Sequence, residues 1–233
     1  MTGSAPLVSI LIPVYNEARY LEQVLRKVQA APLDKEIVAV DDGSADGTKG
    51  ILARLAGELP LRVLTHERNQ GKGQAVRSAI AASRGTILLI QDADLEYDPA
   101  DYPALLAPLL EGRAEIVYGS RFLGRRVASY RLHRLGNWLI TAMVNVLFGT
   151  SLTDVETCYK AFRRETVAGL PLRARGFEFE VEVTCKLLRS GRRIAEIPVS
   201  YFGRTYAEGK KITWKDGVQA LWVILCCRLN PQY

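Results

Sequence analysis

Short apolar segments alternate with longer segments of helical period through the first half of the chain. The short segments predict β-strands, and the longer ones predict α-helices. The predicted strands are 7–14, 36–42, 61–65, 86–91 and 115–120, and the predicted helices are 18–30, 46–57, 72–83 and 101–111. Strands that are apolar on both faces are typical of a mostly parallel sheet covered by helices. The sequence therefore predicts an α/β domain whose ligands bind at the carboxyl ends of the strands.

After residue 120 the alternation becomes less regular. The segments that still show a clear period are an apolar helix at 137–148, a helix at 178–190, a strand at 193–201 and a final helix at 213–229. An irregular segment that contains DVETCYKAF separates the first two of these helices. We expect one domain over residues 1–211, made of halves at 1–120 and 121–211, followed by a C-terminal helix at 212–233.

Two carboxylates follow the fourth predicted strand. In TILLIQDADLEYDP, Asp92 and Asp94 come after the apolar run, and residues two apart in an extended segment project to the same side. A divalent cation relieves the repulsion between them most simply, and oxygen ligands favour Mg²⁺ or Mn²⁺. Glu96 continues the same face and is a candidate either for a third ligand or for a group outside the ligand shell. The sequence therefore predicts a divalent metal site here, with a solvated acidic loop as the alternative.

Two further polar segments follow the second and third strands. Asp41 and Asp42 begin DDGSADGT, where glycines let the backbone approach a ligand, and Asp42 is the preferred contact for ribose or a base edge. NQGKGQAV places Lys72 at the start of a helix, which is a suitable position for a nucleotide. Because GxGxxG and the P-loop pattern are absent, neither a dinucleotide-binding Rossmann enzyme nor a P-loop site is expected.

The charged residues are distributed unevenly. Residues 1–118 contain 12 basic and 16 acidic residues, whereas residues 119–233 contain 19 and 9. This distribution favours a cation site in the first half and an anionic partner in the second. Arg121, Arg131 and Arg134 lie in a stretch without acidic residues and are the candidates for binding an anionic head group. Nucleic acid is not expected, because the arginines do not form a long stripe with stacking aromatics.

Five segments occur in the order found in family-2 glycosyltransferases of the GT-A fold. They are VSILIPVYNE, VDDGSADGT, NQGKGQAVRSAI, DADLEYDP and YGSRF. Over about residues 7–211, the chain most closely resembles the branch of polyprenol-phosphate (dolichol-phosphate) mannosyl and glucosyl transferases. The resemblance implies a GT-A domain with a Rossmann-like central sheet. It also implies that residues 1–120 form a nucleotide-sugar half and residues 121–211 an acceptor half.

The resemblance also implies roles for individual residues. Together with Lys72, the residues expected to bind a nucleotide sugar are Pro13, Tyr15, Glu17, Asp42, Asp92, Arg204 and Lys210. Asp92 and Asp94 correspond to the DxD pair that holds a metal on the donor diphosphate, and Glu96 stands where relatives often have glutamine. Arg121 corresponds to an arginine near the transferred sugar or the acceptor phosphate.

The segment RTYAEGKKI resembles the phosphate-contacting Arg-x-x-Gly-Glu-Ser-Lys pattern of the family. Arg204 and Lys210 match its two basic residues, whereas Ala207 and Gly209 replace its glycine and serine. This departure concerns the geometry of the loop, and the two basic residues keep their expected role beside the phosphates.

The implied reaction is a displacement at the anomeric carbon with inversion, in which the metal neutralises charge on the leaving diphosphate. A polyprenyl phosphate acceptor is ionised at neutral pH and needs cations, whereas a hydroxyl acceptor needs a base. Asp154 and Glu156 lie where many hydroxyl-directed relatives keep a base, and phosphate-directed relatives also have an acid nearby, so both acceptors stay open. The catalytic candidates are Asp92, Asp94, Arg121 and Asp154. A catalytically silent nucleotide-sugar-binding partner is a third interpretation, against which the intact DxD pair argues.

The last predicted helix carries an apolar stripe. Its members are Trp214, Val218, Leu221, Trp222, Leu225 and Leu229. Such a stripe lies either in a membrane interface or on the core of the protein. The N-terminal segment lacks the features of a signal peptide, and no apolar run reaches the ~18 residues of a spanning helix. We therefore expect a peripheral protein at the cytoplasmic face of a membrane, bound directly or through a membrane-anchoring subunit.

Overall fold

A computed structural model describes residues 8–124, 126–127, 131–204, 213–230 and 233, with only the backbone described at 126–127 and 131–133. It confirms the predicted α/β architecture, with a seven-stranded sheet flanked by helices. The strands are β1 Val8–Val14, β2 Lys35–Asp41, β3 Leu61–Thr65, β4 Ile87–Ile90, β5 Ile116–Ser120, β6 Arg126–Val127, β7 Lys160–Arg163, β8 Ala195–Pro198 and β9 Tyr201–Phe202. The helices are α1 Leu21–Ala30, α2 Thr48–Glu58, α3 Lys72–Ala82, α4 Tyr102–Leu110, α5 Arg131–Phe148, α6 Arg164–Val167, α7 Phe179–Arg189 and α8 Trp214–Leu229.

The sheet has the strand order β3-β2-β1-β4-β7-β5-β8, with β1 near its middle. Ile10 of β1 lies opposite Ile37 of β2 on one side and Leu89 of β4 on the other, in parallel register. All three side chains are fully buried, which explains why these strands read as continuous apolar runs. Consequently the carboxyl ends of β1, β2 and β4 meet at one edge of the sheet.

The sequence did not reveal β7, which inserts antiparallel between β4 and β5. It occupies four residues at the end of the segment that was predicted to be irregular. Its first residue, Lys160, is fully buried, so the strand lacks the apolar signature expected of a central strand. The insertion of β7 separates the two halves of the sheet and brings the DVETCYKAF segment beside the carboxyl end of β4.

The segment after β4 turns into a helix as its sequence predicts. Asp98 caps a 3₁₀ turn at Pro99–Asp101, where its carboxylate accepts a hydrogen bond from the N–H of Ala100 at 3.2 Å. Asp98 is thereby accounted for by local structure, and Asp92 and Asp94 remain at the end of the strand.

A second apolar core joins the last helix to the domain. Ala220, Val223, Ile224 and Cys227 of α8 pack against residues of α5 and α7. Helix α5 starts at Arg131, earlier than the predicted residue 137, so that part of the basic stretch is helical. Among the described residues, the model contains no helix with both the length and the apolarity needed to cross a bilayer.

Candidate active site

A cavity of about 490 Å³ opens at the carboxyl ends of β1, β2 and β4. Its volume is in the range of small-molecule sites. The described residues of its wall include nine carboxylates and three basic side chains, those of Lys72, Arg121 and Arg204. Pro13, near the end of β1, and Tyr15, directly after β1, line the cavity, and their contacts with a nucleotide stay predictions. A wall with this excess of acids is suited to a ligand that brings a cation with it.

Asp42 lies in the cavity wall and holds the NQGKG loop. Its carboxylate accepts hydrogen bonds from the N–H of Gln70 at 3.0 Å and of Gly71 at 2.7 Å, and contacts Nδ1 of His66 at 2.6 Å. Gly71 has φ 96°, and a Cβ there would overlap the carbonyl group of Arg175, so the loop requires glycine at this position. The structure thus assigns Asp42 a loop-holding role, and His66 is a partner that sequence reasoning missed.

Asp41, the other acid of this pair, points into the protein. It is 1% exposed and accepts a hydrogen bond from the N–H of Ser44 at 3.1 Å. It does not belong to the described wall of the cavity. Of the two acids, Asp42 is the one in the described wall, and its contact with ribose or a base edge stays a prediction.

Asp92 begins a chain of buried charges that crosses the cavity floor. Its Oδ1 lies 2.7 Å from Nζ of Lys72, and the same ammonium lies 2.9 Å from Oε1 of Glu180 on α7. The second oxygen of Glu180 lies 2.9 Å from Nζ of Lys160. Burial acts to lower the pKa of Lys72, but the neighbouring carboxylates outweigh it and hold this pKa well above its ordinary value. Lys72 is thus a permanent cation beside Asp92, and Glu180 is a site residue without a local sequence signal.

Arg204 gathers the other acids of the predicted metal site. Its guanidinium donates to Asp94 at 2.6 Å and to Glu17 at 3.1 Å, and its backbone N–H donates to Glu96 at 2.7 Å. The second carboxylate oxygen of Glu96 accepts from the hydroxyl of Tyr201 at 2.9 Å. Both oxygens of Glu96 are therefore engaged within the protein. This geometry favours a role for Glu96 in positioning Arg204. Both oxygens of Asp94 are engaged as well, by the N–H of Glu96 at 3.1 Å and by Arg204 at 2.6 Å, so these contacts do not separate Glu96 from Asp94 as a ligand. The role of Glu96 as a third metal ligand stays a prediction.

Asp92 and Asp94, the predicted pair of ligands, form a donor set that fits a divalent cation. Burial together with the charges of Asp92 and Glu96 raises the pKa of Asp94 to about 8, which reveals a shortage of positive charge at this point. Mg²⁺ commonly binds through one or two carboxylates and completes its shell with water and substrate phosphates. Among the described residues, no three His, Cys, Asp or Glu side chains are arranged to hold a metal by themselves. A cation held by these residues would therefore depend on the ligand that it accompanies.

Arg121, which lines the cavity, forms a buried pair with Asp154. Nε and Nη2 of Arg121 each donate to a carboxylate oxygen of Asp154 at 2.7 Å, and the backbone N–H of Arg121 donates at 3.0 Å. Nδ2 of Asn137 donates to the same carboxylate at 3.0 Å. Burial acts to raise the pKa of Asp154, but the charge and hydrogen bonds of Arg121 outweigh it and hold the pKa below its ordinary value.

This arrangement separates the two catalytic candidates Arg121 and Asp154. Arg121 lines the cavity, whereas Asp154 is fully buried and is not part of the described wall. The four hydrogen bonds from Arg121 and Asn137 occupy the lone-pair directions of the Asp154 carboxylate. Asp154 therefore holds Arg121 in place and has no lone pair directed toward a substrate. The expectation that Asp154 is a catalytic base is not supported. The geometry favours a positioning role.

The remaining basic candidates lie outside the cavity or outside the described side chains. Arg134 is exposed on α5, one turn before the cavity residue Asn137. The side chain of Arg131 and the whole of Lys210 lie outside the described residues. Their predicted contacts with the acceptor and with the donor phosphates stay predictions.

The predicted apolar stripe of α8 is exposed except at Leu221, which is half-buried against the second core. Trp214 is 76% exposed and Trp222 65% exposed, while the opposite face of α8 packs on the second core. Helix α5 also exposes Trp138 at 61%. We call the exposed side chains Trp138, Leu139, Trp214, Val218, Trp222, Leu225 and Leu229 the indole face. Both helices also reach the cavity, where Asn137 of α5 and Asp216 of α8 form part of its wall.

Comparison with known sequences places the chain among enzymes. The model of the family described as glycosyl transferase family 2 matches residues 9–169. The undecaprenyl-phosphate mannosyltransferase of Micrococcus luteus is 31% identical over 209 residues, which cover 86% of this chain and 85% of that protein. The dolichol-phosphate mannosyltransferase of Pyrococcus furiosus is 29% identical over 209 residues, which cover 87% of this chain and 58% of that protein.

Solved structures show the same fold. Glucosyl-3-phosphoglycerate synthase from Mycobacterium tuberculosis, in complex with Mn²⁺, UDP and phosphoglyceric acid, matches with a TM-score of 0.75 at 22% identity, over 97% of this chain and 80% of that chain. A complex of the same enzyme with Mg²⁺ and UDP matches with a TM-score of 0.73. These matches confirm the GT-A architecture. Because the family model covers most of the chain and the Micrococcus relative exceeds 30% identity, this protein belongs to glycosyl transferase family 2 and is a glycosyltransferase.

Proposed function

We propose that the protein transfers a hexose from a nucleotide sugar, GDP-mannose or UDP-glucose in type, to polyprenyl phosphate with inversion at the anomeric carbon. The observation that carries the proposal is the pairing of Arg121 with Asp154, which holds a fixed cation, and not a base, in the cavity wall. We propose that the acceptor binds at this cation. A phosphate acceptor is already ionised and requires such a cation. The relatives named as polyprenol-phosphate mannosyltransferases support the same acceptor.

The donor end of the proposed site is the cluster of Asp92, Asp94, Lys72 and Arg204. Asp92 and Asp94 are the residues that would hold Mg²⁺ or Mn²⁺, which when bound supplies charge neutralisation for the leaving diphosphate. Lys72 and Arg204 keep the two carboxylates apart and oriented, since each pairs with one of them. Their charges also favour a diphosphate over a neutral ligand. Lys210 is proposed to join them from the neighbouring loop.

The indole face supports action at a membrane surface. Indole rings are favoured at the boundary between lipid and water, and exposed Lys215 and Arg228 on α8 favour an anionic leaflet. The cavity wall contains residues of both helices that carry this face, so a lipid acceptor held in the membrane would have its phosphate near Arg121. We propose the cytoplasmic face of a membrane as the site of action, reached directly or through an anchoring subunit.

Vesicle binding tests the membrane part of the proposal. The double variant Trp214→Glu/Trp222→Glu should lose sedimentation with vesicles of anionic phospholipid. Leu110→Glu is the matched control, because Leu110 is also an exposed apolar residue but lies on α4. Equal binding by the two variants and the wild type would remove the indole face from the account.

A donor screen tests the catalytic part. The wild-type protein, polyprenyl phosphate and Mn²⁺ or Mg²⁺ are incubated with each nucleotide sugar, and the sugar recovered in the lipid phase is measured. Asp92→Asn and Asp94→Asn should abolish transfer while the fold is kept, whereas Asp98→Asn, a helix-cap variant in the same segment, should stay active. No transfer from any donor, with no metal-stimulated hydrolysis, would favour the silent nucleotide-sugar binder.

One observation favours a second candidate function, transfer of the sugar to a hydroxyl acceptor. Glu156 lines the cavity, and burial, as the largest influence, raises its pKa to about 6. A carboxylate of this kind is suited to act as a base toward a hydroxyl acceptor of a glycan or a lipid. The role of Glu156 therefore decides between the two acceptors.

A further inference from the structure

The loop that carries Glu156 is held rigidly on both sides of that residue. Before it, the backbone N–H of Asp154 donates to Glu196 at 3.0 Å, and the N–H of Val155 donates to the hydroxyl of Thr141 at 3.3 Å. After it, the hydroxyl of Thr157 donates to the carbonyl oxygen of Gly119 at 2.6 Å. Asp154, Val155 and Thr157 are all fully buried. The loop is therefore fixed to α5 and to the end of β5.

Lys160 binds the backbone of this loop on both sides of Glu156. Its ammonium donates to the carbonyl oxygen of Val155 at 2.9 Å and to that of Thr157, the two residues that flank Glu156. The same ammonium lies 2.9 Å from Glu180, which is buried in the cavity wall. Because Lys160 is fully buried, these contacts exchange little with water. They fix the position from which the side chain of Glu156 enters the cavity.

Glu156 itself is half-buried and lines the cavity. Among the described residues, no hydrogen bond or ion pair reaches its carboxylate, although Arg121, Asp154, Lys160 and Glu180 all act on it electrostatically. A ligand that displaces water from this half-buried carboxylate has to supply hydrogen-bond donors in its place. The other acids of this loop region, Asp154 and Glu196, are already satisfied by donors of the protein.

The chemistry of the cavity limits what that ligand can be. A phosphate is repelled by a carboxylate, and no group of metal-ligating side chains is formed around Glu156 among the described residues. Sugar hydroxyls, in contrast, donate hydrogen bonds that a carboxylate accepts. If the donor diphosphate lies at Asp94 and Arg204 and the acceptor phosphate at Arg121, the transferred sugar has to lie between the two. Glu156 lines the same cavity and is close enough to Arg121 for the charge of Arg121 to act on it, so a sugar beside Arg121 is within the reach of Glu156.

We propose that Glu156 is a specificity-determining residue that accepts hydrogen bonds from hydroxyl groups of the transferred hexose. The assignment rests on the proposed function for the identity of the ligand. In this assignment Glu156 binds the sugar and does not act as a base. Sugars that lack the contacted hydroxyl, or carry it in the other configuration, leave the carboxylate unsatisfied and are bound more weakly.

Calorimetry of binding tests this inference without requiring transfer. Wild type and Glu156→Gln are titrated, in the presence of Mn²⁺, with GDP, GDP-mannose, UDP and UDP-glucose. For the sugar nucleotide that the wild type binds, we expect Glu156→Gln to weaken binding by about 10-fold while the affinity for the matching nucleotide changes by less than about twofold. Deoxy analogues of the bound sugar then identify the hydroxyl, because the analogue that lacks it should bind wild type and variant equally.

Glu178→Gln is the matched control. Glu178 also lines the cavity, but its carboxylate already accepts from the N–H groups of Arg175 at 2.9 Å and Gly176 at 3.0 Å. Removal of its charge should affect nucleotide and sugar nucleotide alike, so that the ratio of the two affinities stays at the wild-type value. A similar ratio in Glu156→Gln would overturn the inference.

The outcomes also separate this inference from the proposed function. Loss of turnover in Glu156→Gln with unchanged sugar-nucleotide affinity would overturn the sugar-binding role and favour a base for a hydroxyl acceptor. A selective loss of sugar affinity, in a wild-type protein that does not glycosylate polyprenyl phosphate, would support the inference and reject the proposed acceptor. Failure of the wild type to bind either sugar nucleotide would overturn both.

Discussion

Replacement of Asp154 by Asn distinguishes a residue that positions Arg121 from a catalytic base. Asp154 is fully buried and accepts from Nε, Nη2 and the backbone N–H of Arg121 and from Nδ2 of Asn137. Asparagine keeps the shape of aspartate, but its NH₂ group would face one of these donors and its charge no longer balances Arg121. Breaking a buried pair in this way costs about 3–5 kcal/mol of unfolding free energy. For a chain of this length, that loss lowers Tm by roughly 6–20 °C.

The assay combines thermal unfolding with transfer kinetics. Because Arg121 loses its orientation, we expect KM for the acceptor phosphate to rise by about 10-fold or more, while KM for the donor stays within about twofold. Glu182→Gln is the stability control, since Glu182 and Lys186 form a similarly buried pair at 2.7 Å that lies outside the described cavity wall. It should lose comparable stability without a change in the acceptor KM. A stable Asp154→Asn protein with lost turnover and an unchanged acceptor KM would refute this reasoning and make Asp154 a base.

Three further changes follow from the geometry. Glu180→Gln removes one of the two carboxylates beside Lys72, which then pairs with Asp92 alone. The Kd of Mn²⁺ measured with the nucleotide should therefore rise by about 10-fold. An unchanged Kd would remove Glu180 from the site. Arg134→Ala should raise KM for the lipid phosphate severalfold at low salt and much less at about 1 M salt. An equal rise in KM for the donor and for the acceptor would count against a contact with the acceptor. Gly71→Ala should cost about 1–3 kcal/mol in chemical unfolding, because φ is 96° and the added methyl overlaps Arg175; wild-type stability would show that the NQGKG loop relaxes freely.

The first half of the fold could be predicted well from the sequence because its signals are local. The strands β1, β2 and β4 are buried on both faces over most of their length and are therefore mainly apolar. The polar residues that follow them meet at one sheet edge by the rule for parallel sheets, which explains why Asp42, Asp92 and Asp94 were found in one cavity.

The charged connections across the fold could not be predicted, because they join residues that are distant in sequence. From its charge alone, Lys160 in strand β7 is expected at the surface. In the structure it is buried, and its ammonium contacts Glu180 and two backbone carbonyl oxygens. Likewise, nothing local indicates that Arg204 pairs with Glu17 and Asp94, more than a hundred residues earlier. The sequence could not decide between the two alternatives for the stripe of the C-terminal helix, because a helix that packs one face on the core can expose the other. The structure packs the face of Ala220, Val223 and Ile224 on the second core and exposes most of the stripe, and the location of the stripe in a membrane interface stays a prediction.

The most direct test of the central claim compares two acceptors that differ only in the phosphate. Wild-type protein with Mn²⁺ and the donor identified in the screen is offered polyprenyl phosphate or the unphosphorylated polyprenol, and the glycosylated lipid is quantified after extraction. The account predicts metal-dependent transfer to polyprenyl phosphate that is lost in Asp92→Asn, and no transfer to polyprenol. Transfer to polyprenol at a comparable rate, or transfer to the phosphate that persists in Asp92→Asn with the metal chelated, would contradict it.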